Sequence, residues 1–430
     1  MKHHLFLYGL LPLLFSCKQT EAPIKMETLQ KAQMTHLETL TLVTHNAFDL
    51  SNFADGMNYT QDTDTQINIP KMQRGGLDVV WFAVSADHGA TDDSGNKKST
   101  EHTQAQFDAI HRLAAVYARN KIGLATSVEA VDQIRKTGRK VAMIGVENGY
   151  ALGIDTANVK EFYDQGARYL SFANAGYSQL EDLNTGEVDR TAFNTGLSSL
   201  DKLVIEKMNY YGMMVDISNS SKATSRQAIL HSKAPVIASH ASVKALCDHP
   251  LNLDDEQLEW IKTSGGVIQT VASPLHLNKE KHLANQEARE KVLTKNAAAM
   301  EMKLLSRKER QALTGEQKII YDAQYKALLN RAAEDLKIVN SKFPPVAVSD
   351  FVDHIDYIKN KIGIDHVGIS ADFDGGGGIE GWSDASESFN ITLELVRRGY
   401  SKEAIGKIWS GNLLRVLESV ENTAAELQNK

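Results

Sequence analysis

The sequence predicts an α/β fold, a (β/α)8 TIM-like barrel of parallel strands with a helical insertion before the last strand. Three observations carry this. From about residue 37 to residue 275, apolar β-rich runs alternate with stretches of helical spacing. Nearly every such run stops at a polar residue able to do chemistry. Between residues 276 and 342 the texture changes to Lys, Glu, Ala, Gln and Leu, with no strand signal. Repeated strand, helix, strand order argues for a parallel sheet closed on itself rather than a sandwich. Near-continuous apolar strands fit a sheet covered on both faces.

Taken in chain order, TLTLVTH ends at His45, LDVVWFAVSADH at Asp87 and His88, and KVAMIGVE at Glu147. ARYLSFAN leads to Asn174, GMMVDISN to Asn219, PVIASH to His240, and HVGISADFD to Asp372 and Asp374. A parallel barrel gathers its strand ends on one face, so these residues converge on one bowl. Between the strands, TQAQFDAIHRLAAVYARN places Phe107, Ile110, Leu113, Ala114 and Tyr117 on one helix face. LSSLDKLVIEKMNYYG does the same with Leu200, Leu203, Val204 and Met208 before Gly212 stops it. The segment 276–345 reads as a helical hairpin with a solvated charged face. Pro344 and Pro345 end it, and SDFVDHIDYIKNKIG is the next amphipathic helix, capped by Ser349 or Asp350. The glycine-rich DFDGGGGIEGW loop has neither the G-x-G-x-x-G spacing nor the P-loop lysine of a phosphate cradle.

With 42% hydrophobic and 23% charged residues and a net charge of −7, the composition is that of a globular protein and asks for no nucleic-acid partner. The opening MKHHLFLYGLLPLLFSC has a short basic start, an apolar stretch too brief for a permanent span, and small residues before a cysteine. LLFSC resembles a bacterial lipoprotein cleavage box. It implies removal of residues 1–16, acylation of Cys17, a tether over 17–36, a barrel over 37–420 and a tail over 421–430. The expected location is the bacterial cell envelope, on the outer membrane or a periplasmic face. The other cysteine, Cys247, reads as a small buried hydrophobe.

THN at the first strand, GVENG around Glu147, GMMVDIS before Asn219, APVIASHAS around His240, FVDHIDYIKNKIGIDHVGI, DFDGGGG and GNLLRVLE follow one another in order. Together they resemble the renal or membrane dipeptidase family, a zinc-dependent barrel. The resemblance implies a bridging glutamate between two ions and, for the assembly, a homodimer. His45 matches the family's first histidine, Glu147 the bridge and His240 the last histidine. Ala47 stands where an aspartate ligand belongs and Asn219 where a further histidine does. Asn174 replaces a substrate-orienting histidine, and Leu251 an arginine for the substrate carboxylate. In the family pattern His45 and His240 serve different ions. Alanine offers no donor atom, and an amide is a poor exchange for imidazole on zinc.

The expectation drawn from these losses is a site without a cofactor, working by acid and base through His45, Glu147, His240, His88 and Asp372. Asn174, Tyr177, Asn219 and Trp382 would contact substrate, with the Trp382 indole on a sugar ring. The reaction expected is dehydration of a carbohydrate by a lyase. The pattern resembles an offshoot of the dipeptidase fold that acts on unsaturated uronic-acid ends of ulvan oligosaccharides. Two alternatives stand beside it. One is a dipeptidase working with one metal, zinc, on His45, Glu147 and His240, with Asp49 as a further ligand if it swings in. The other is a non-catalytic surface lipoprotein binding a peptide or glycan.

Overall fold

The computed structural model describes residues 24–54, 56–85, 93–153, 155–172, 196–306, 309–310 and 313–430. Among these residues, nine strands form one sheet: β1 (Leu42–Ala47), β2 (Val79–Ser85), β3 (Ile122–Leu124), β4 (Lys140–Glu147), β5 (Ala167–Ser171), β6 (Met214–Asp216), β7 (Ile237–Ala241), β8 (Val267–Val271) and β9 (Val367–Ser370). Every pairing is parallel. Because β2 pairs directly with β4, eight strands close into a ring, and the short β3 lies beside β4. The (β/α)8 barrel is therefore the fold.

Strand parity divides the core. Leu42, Val79, Trp81, Val141, Met143, Tyr169, Met214, Ile237 and Val267 pack across the barrel interior and onto Leu413, Val416, Leu417 and Val420 of the last helix, Asn412–Gln428. The ring contact of Trp81 with Tyr169, centroids 5.7 Å apart, joins β2 to β5 across that interior. Intervening residues such as Val43, Val80, Phe82, Ala142, Ile144 and Leu170 pack outward, with Phe107, Ile110, Ile355 and Ile358 of the helical layer in the same cluster. Burial on both faces explains the near-continuous apolar strands. The insertion lies between β8 and β9, as helices Lys279–Ala298 and Gly315–Lys342.

Some local expectations are corrected. In helix Ser199–Tyr211, closed by a Ser198–Asp201 capping box and left-handed Gly212, the buried stripe is Val204, Ile205 and Met208, whereas Leu203 is exposed. The helix Val348–Ile362 starts ahead of Ser349, and Asp350 acts from its first turn by accepting from the Ala347 amide at 2.8 Å. Residues 26–36, read as tether, fall in a helix, Met26–Glu38, held by hydrogen bonds from His36 to Thr392 and Gly75. The last helix continues to Gln428, through the segment read as a tail. Cys247 is buried, as expected of a small hydrophobe. Among the described residues, no helix is long and apolar enough to cross a membrane.

Candidate metal centre

Two strand irregularities build the site. The register of β1 breaks between Val43 and Asn46, and that of β7 between Ala238 and Ala241, so His45 and His240 each sit within a break. Irregular strand ends at a barrel rim re-aim side chains. His45, Asn219 and Asp372, at the ends of β1, β6 and β9, have positive φ of 54°, 63° and 49°. Left-handed backbone costs a non-glycine residue about 1–3 kcal/mol, and such costs gather at functional sites. Glu147 needs no such device, because it continues the inward parity of Val141, Met143 and Gly145.

Glu147 lies between the two imidazoles. Its Oε2 is 3.4 Å from His45 Nε2 and its Oε1 is 3.9 Å from His240 Nε2. One donor atom from each of the three residues lies within 4.8 Å of the others. The imidazole rings stack with centroids 3.6 Å apart. Their outer nitrogens are occupied: His45 Nδ1 is 3.1 Å from the Tyr169 hydroxyl, and His240 Nδ1 is 2.9 Å from Ser239 Oγ. Ser239 Oγ in turn donates to Asp216 Oδ2. Hydrogen bonds on the far nitrogen that hold the near one toward a common point are what metal-binding histidines require. The two imidazoles and one carboxylate fit a divalent ion such as zinc.

The electrostatics follow from crowding in a dry place. Burial pulls the His45 imidazole down, but Glu147 beside it, with Asp372 and Asp216 nearby, leaves it above its ordinary value. His240 is driven well below its ordinary value by burial, and His45 adds to this. Burial raises the Asp372 carboxyl to about 7, with His45 pulling it down and Glu147 pushing it up. The glycine run after Asp372 has a steric basis: a Cβ at Gly375 would lie 2.2 Å from Asp372 Oδ1, and one at Gly377 would lie 1.9 Å from the Ala371 carbonyl oxygen.

The remaining expected site residues divide clearly. Asn219 joins the centre, its Nδ2 3.1 Å from His240 Nε2. Asp49 does not, because its exposed carboxylate is engaged with the Ser51 amide and hydroxyl at 2.8 and 2.7 Å. Trp382 cannot present a face to a sugar: it is fully buried against Phe351, Phe373 and Trp409. Cys17, His88, Asn174 and Tyr177 lie outside the described residues. The sequence reading missed Tyr169, Ser239 and Asp216; the available signal was a polar atom inside an otherwise apolar strand.

A family model described as membrane dipeptidase, peptidase family M19, matches residues 29–430. The chain belongs to the membrane dipeptidase family. Among relatives in this family, it is 25% identical over 421 residues to dipeptidase tcpJ of Claviceps purpurea, covering 96% of this chain and 83% of the relative. It is 28% identical over 338 residues to dipeptidase verJ of Clonostachys rogersoniana, covering 77% and 68%. Among solved structures, the probable dipeptidase PvdM from Pseudomonas aeruginosa superposes with a TM-score of 0.74 at 28% identity, covering 93% of this chain and 99% of that one.

These findings overturn the expectation of a cofactor-free ulvan dehydratase. The membrane dipeptidase family is matched along nearly the whole chain, the relatives are dipeptidases, and the His45, Glu147 and His240 cluster is intact. The expectation drawn from Ala47 and Asn219, that no metal is held, does not stand beside this cluster. It held that His45 and His240 face different ions, whereas the strand irregularities bring both to Glu147. A metal cofactor is thus supported, as is hydrolase rather than lyase chemistry. A small-molecule substrate fits a site of this dipeptidase type.

Proposed function

We propose that the chain is a metal-dependent dipeptidase that hydrolyses the single peptide bond of a dipeptide, with one divalent ion on His45, Glu147 and His240. The observation that carries this reading is the convergence of those three donors within 4.8 Å in a chain of this family. When bound, such an ion supplies Lewis acidity that polarises a carbonyl oxygen and makes water more acidic. The protein's own groups do the rest. Glu147 and the two imidazoles fix where the scissile carbonyl sits. Asp372, close enough to His45 and Glu147 for their charges to act on it, is the proposed group that takes a proton from the attacking water and gives one to the departing amine. Water thereby adds across the C–N bond, leaving one carboxylate and one amine. Asn219, beside His240, is a proposed substrate contact, and Asn174 and Tyr177 are proposed with it from the sequence.

The test is hydrolysis of a dipeptide panel, followed by mass spectrometry, with protein dialysed against chelator and then reloaded with zinc. The reading expects activity that disappears with chelator and returns with zinc. Absence of cleavage by fully loaded protein across the panel overturns it.

The order of basic, apolar and small residues before Cys17 supports an envelope location through a lipid on that cysteine. Incorporation of labelled fatty acid that Cys17→Ser abolishes is the expected result. Light scattering tests the homodimer that the resemblance implies.

A further inference from the structure

A buried carboxylate below the metal centre sets the direction of every hydrogen bond behind it. Asp216, at the end of β6, is fully buried. Its Oδ1 accepts from the Ser218 amide at 3.0 Å, the Ser218 hydroxyl at 2.7 Å and the Ser239 amide at 2.9 Å, and its Oδ2 accepts from Ser239 Oγ at 2.5 Å. A carboxylate so surrounded acts only as acceptor, so the single hydroxyl proton of Ser239 is committed to it. Ser239 Oγ can then only accept from its other neighbours. Among them, the two ring nitrogens within reach are His240 Nδ1 at 2.9 Å and His45 Nδ1 at 3.5 Å, one for each lone pair of the oxygen. The Tyr169 hydroxyl, 3.1 Å from His45 Nδ1, is placed to accept the same ring proton.

We propose that Asp216, acting through Ser239, holds the ring proton of His240 on Nδ1, with Ser239 and Tyr169 placed to do the same for His45 when an ion takes its Nε2, so that both Nε2 lone pairs are available to the ion. One serine thus serves two imidazoles, and Asp216, Ser239 and Tyr169 are positioning residues rather than groups that touch substrate. An independent contact agrees. Asn219 Nδ2 stands 3.1 Å from His240 Nε2, and an amide NH2 donates there only if that nitrogen is unprotonated. Gly145 is part of the same arrangement. A Cβ on it would fall 1.9 Å from Tyr169 Cζ, so its bare backbone is what lets the phenol reach His45.

The inference rests on the proposed function only in taking the Nε2 pair as the ion's donors, and its test needs no peptide. In chelator-treated protein carrying 15N-labelled histidine, long-range proton–nitrogen correlation at alkaline pH should show His240 protonated at Nδ1. Protonation at His240 Nε2 overturns the proposal. Calorimetric zinc titration of Ser239→Ala should show affinity reduced about 10–100-fold, the range for partners behind a metal ligand. Tyr169→Phe, which keeps the ring over Gly145 and checks for loss of fold, should change the His45 nitrogen signals and leave those of His240. Unchanged zinc affinity in both variants also overturns the proposal. Correct tautomers and zinc binding without dipeptide cleavage would instead sink the hydrolase reading and leave this one standing.

Discussion

His45 and His240 lie ring against ring, with centroids 3.6 Å apart and planes 22° from parallel, and both turn Nε2 toward Glu147. Two imidazoles this close would repel if both were charged, so a charged His45 keeps His240 neutral, and the carboxylate between their inner nitrogens favours the charge on His45. The pair therefore behaves as one unit with Glu147.

Glu147→Gln should dismantle that unit. Burial alone lowers the His45 imidazole, and Glu147 is the main influence raising it. In chelator-treated protein the variant's His45 should titrate below the ordinary histidine value of about 6.5, whereas the parent's titrates above it, by NMR. Equal titration in the two proteins would contradict this account of the charge balance.

Asp372→Asn should trade activity for stability. In the metal-free protein the folded state holds the Asp372 proton up to about 7, while an unfolded carboxyl releases it near pH 4. The folded state therefore binds more protons across that interval, and stability falls as pH rises through it. The asparagine removes this penalty. Denaturant unfolding in chelator should show a gain on the order of 4 kcal/mol above neutral pH and little difference below pH 4, alongside loss of hydrolysis. A variant as pH-sensitive as the parent between those limits would refute it.

Gly145→Ala tests the space beneath the centre. A methyl placed 1.9 Å from Tyr169 Cζ must displace the ring. Overpacking of this kind costs about 1–3 kcal/mol, and zinc affinity should fall along with stability. Retention of parental zinc affinity would show that Tyr169 does not need this opening.

Trp382→Ala should behave as a core truncation. The side chain is fully buried among Phe351, Phe373 and Trp409. A loss of about 3–5 kcal/mol in unfolding free energy is expected, with KM for dipeptides unchanged in whatever fraction remains folded. A KM effect without destabilisation would return Trp382 to the substrate.

The barrel was legible because nearly every strand is an apolar run stopped by a polar residue, and His45, Glu147 and His240 were legible as such stops. Their convergence on one bowl was legible too, but not how closely the donor atoms approach, since that depends on register breaks in β1 and β7 that leave no mark in residue order. Tyr169 in ARYLS and Ser239 in IASHA read as strand filler because an inward phenol or hydroxyl among apolar neighbours resembles core. Trp382 failed in the opposite direction: a tryptophan beside a glycine-rich loop looks the same whether it faces a ligand or closes a core. Leu203 shows the limit of helical spacing, which allows a stripe to rotate by one position, here to Ile205.

The most direct measurement of the central claim is elemental analysis of protein reloaded with zinc and freed of excess, beside the Glu147→Gln variant. The account predicts one ion per chain in the parent and none retained in the variant. A parent that holds no zinc, or that holds two ions, would contradict a single centre built from His45, Glu147 and His240.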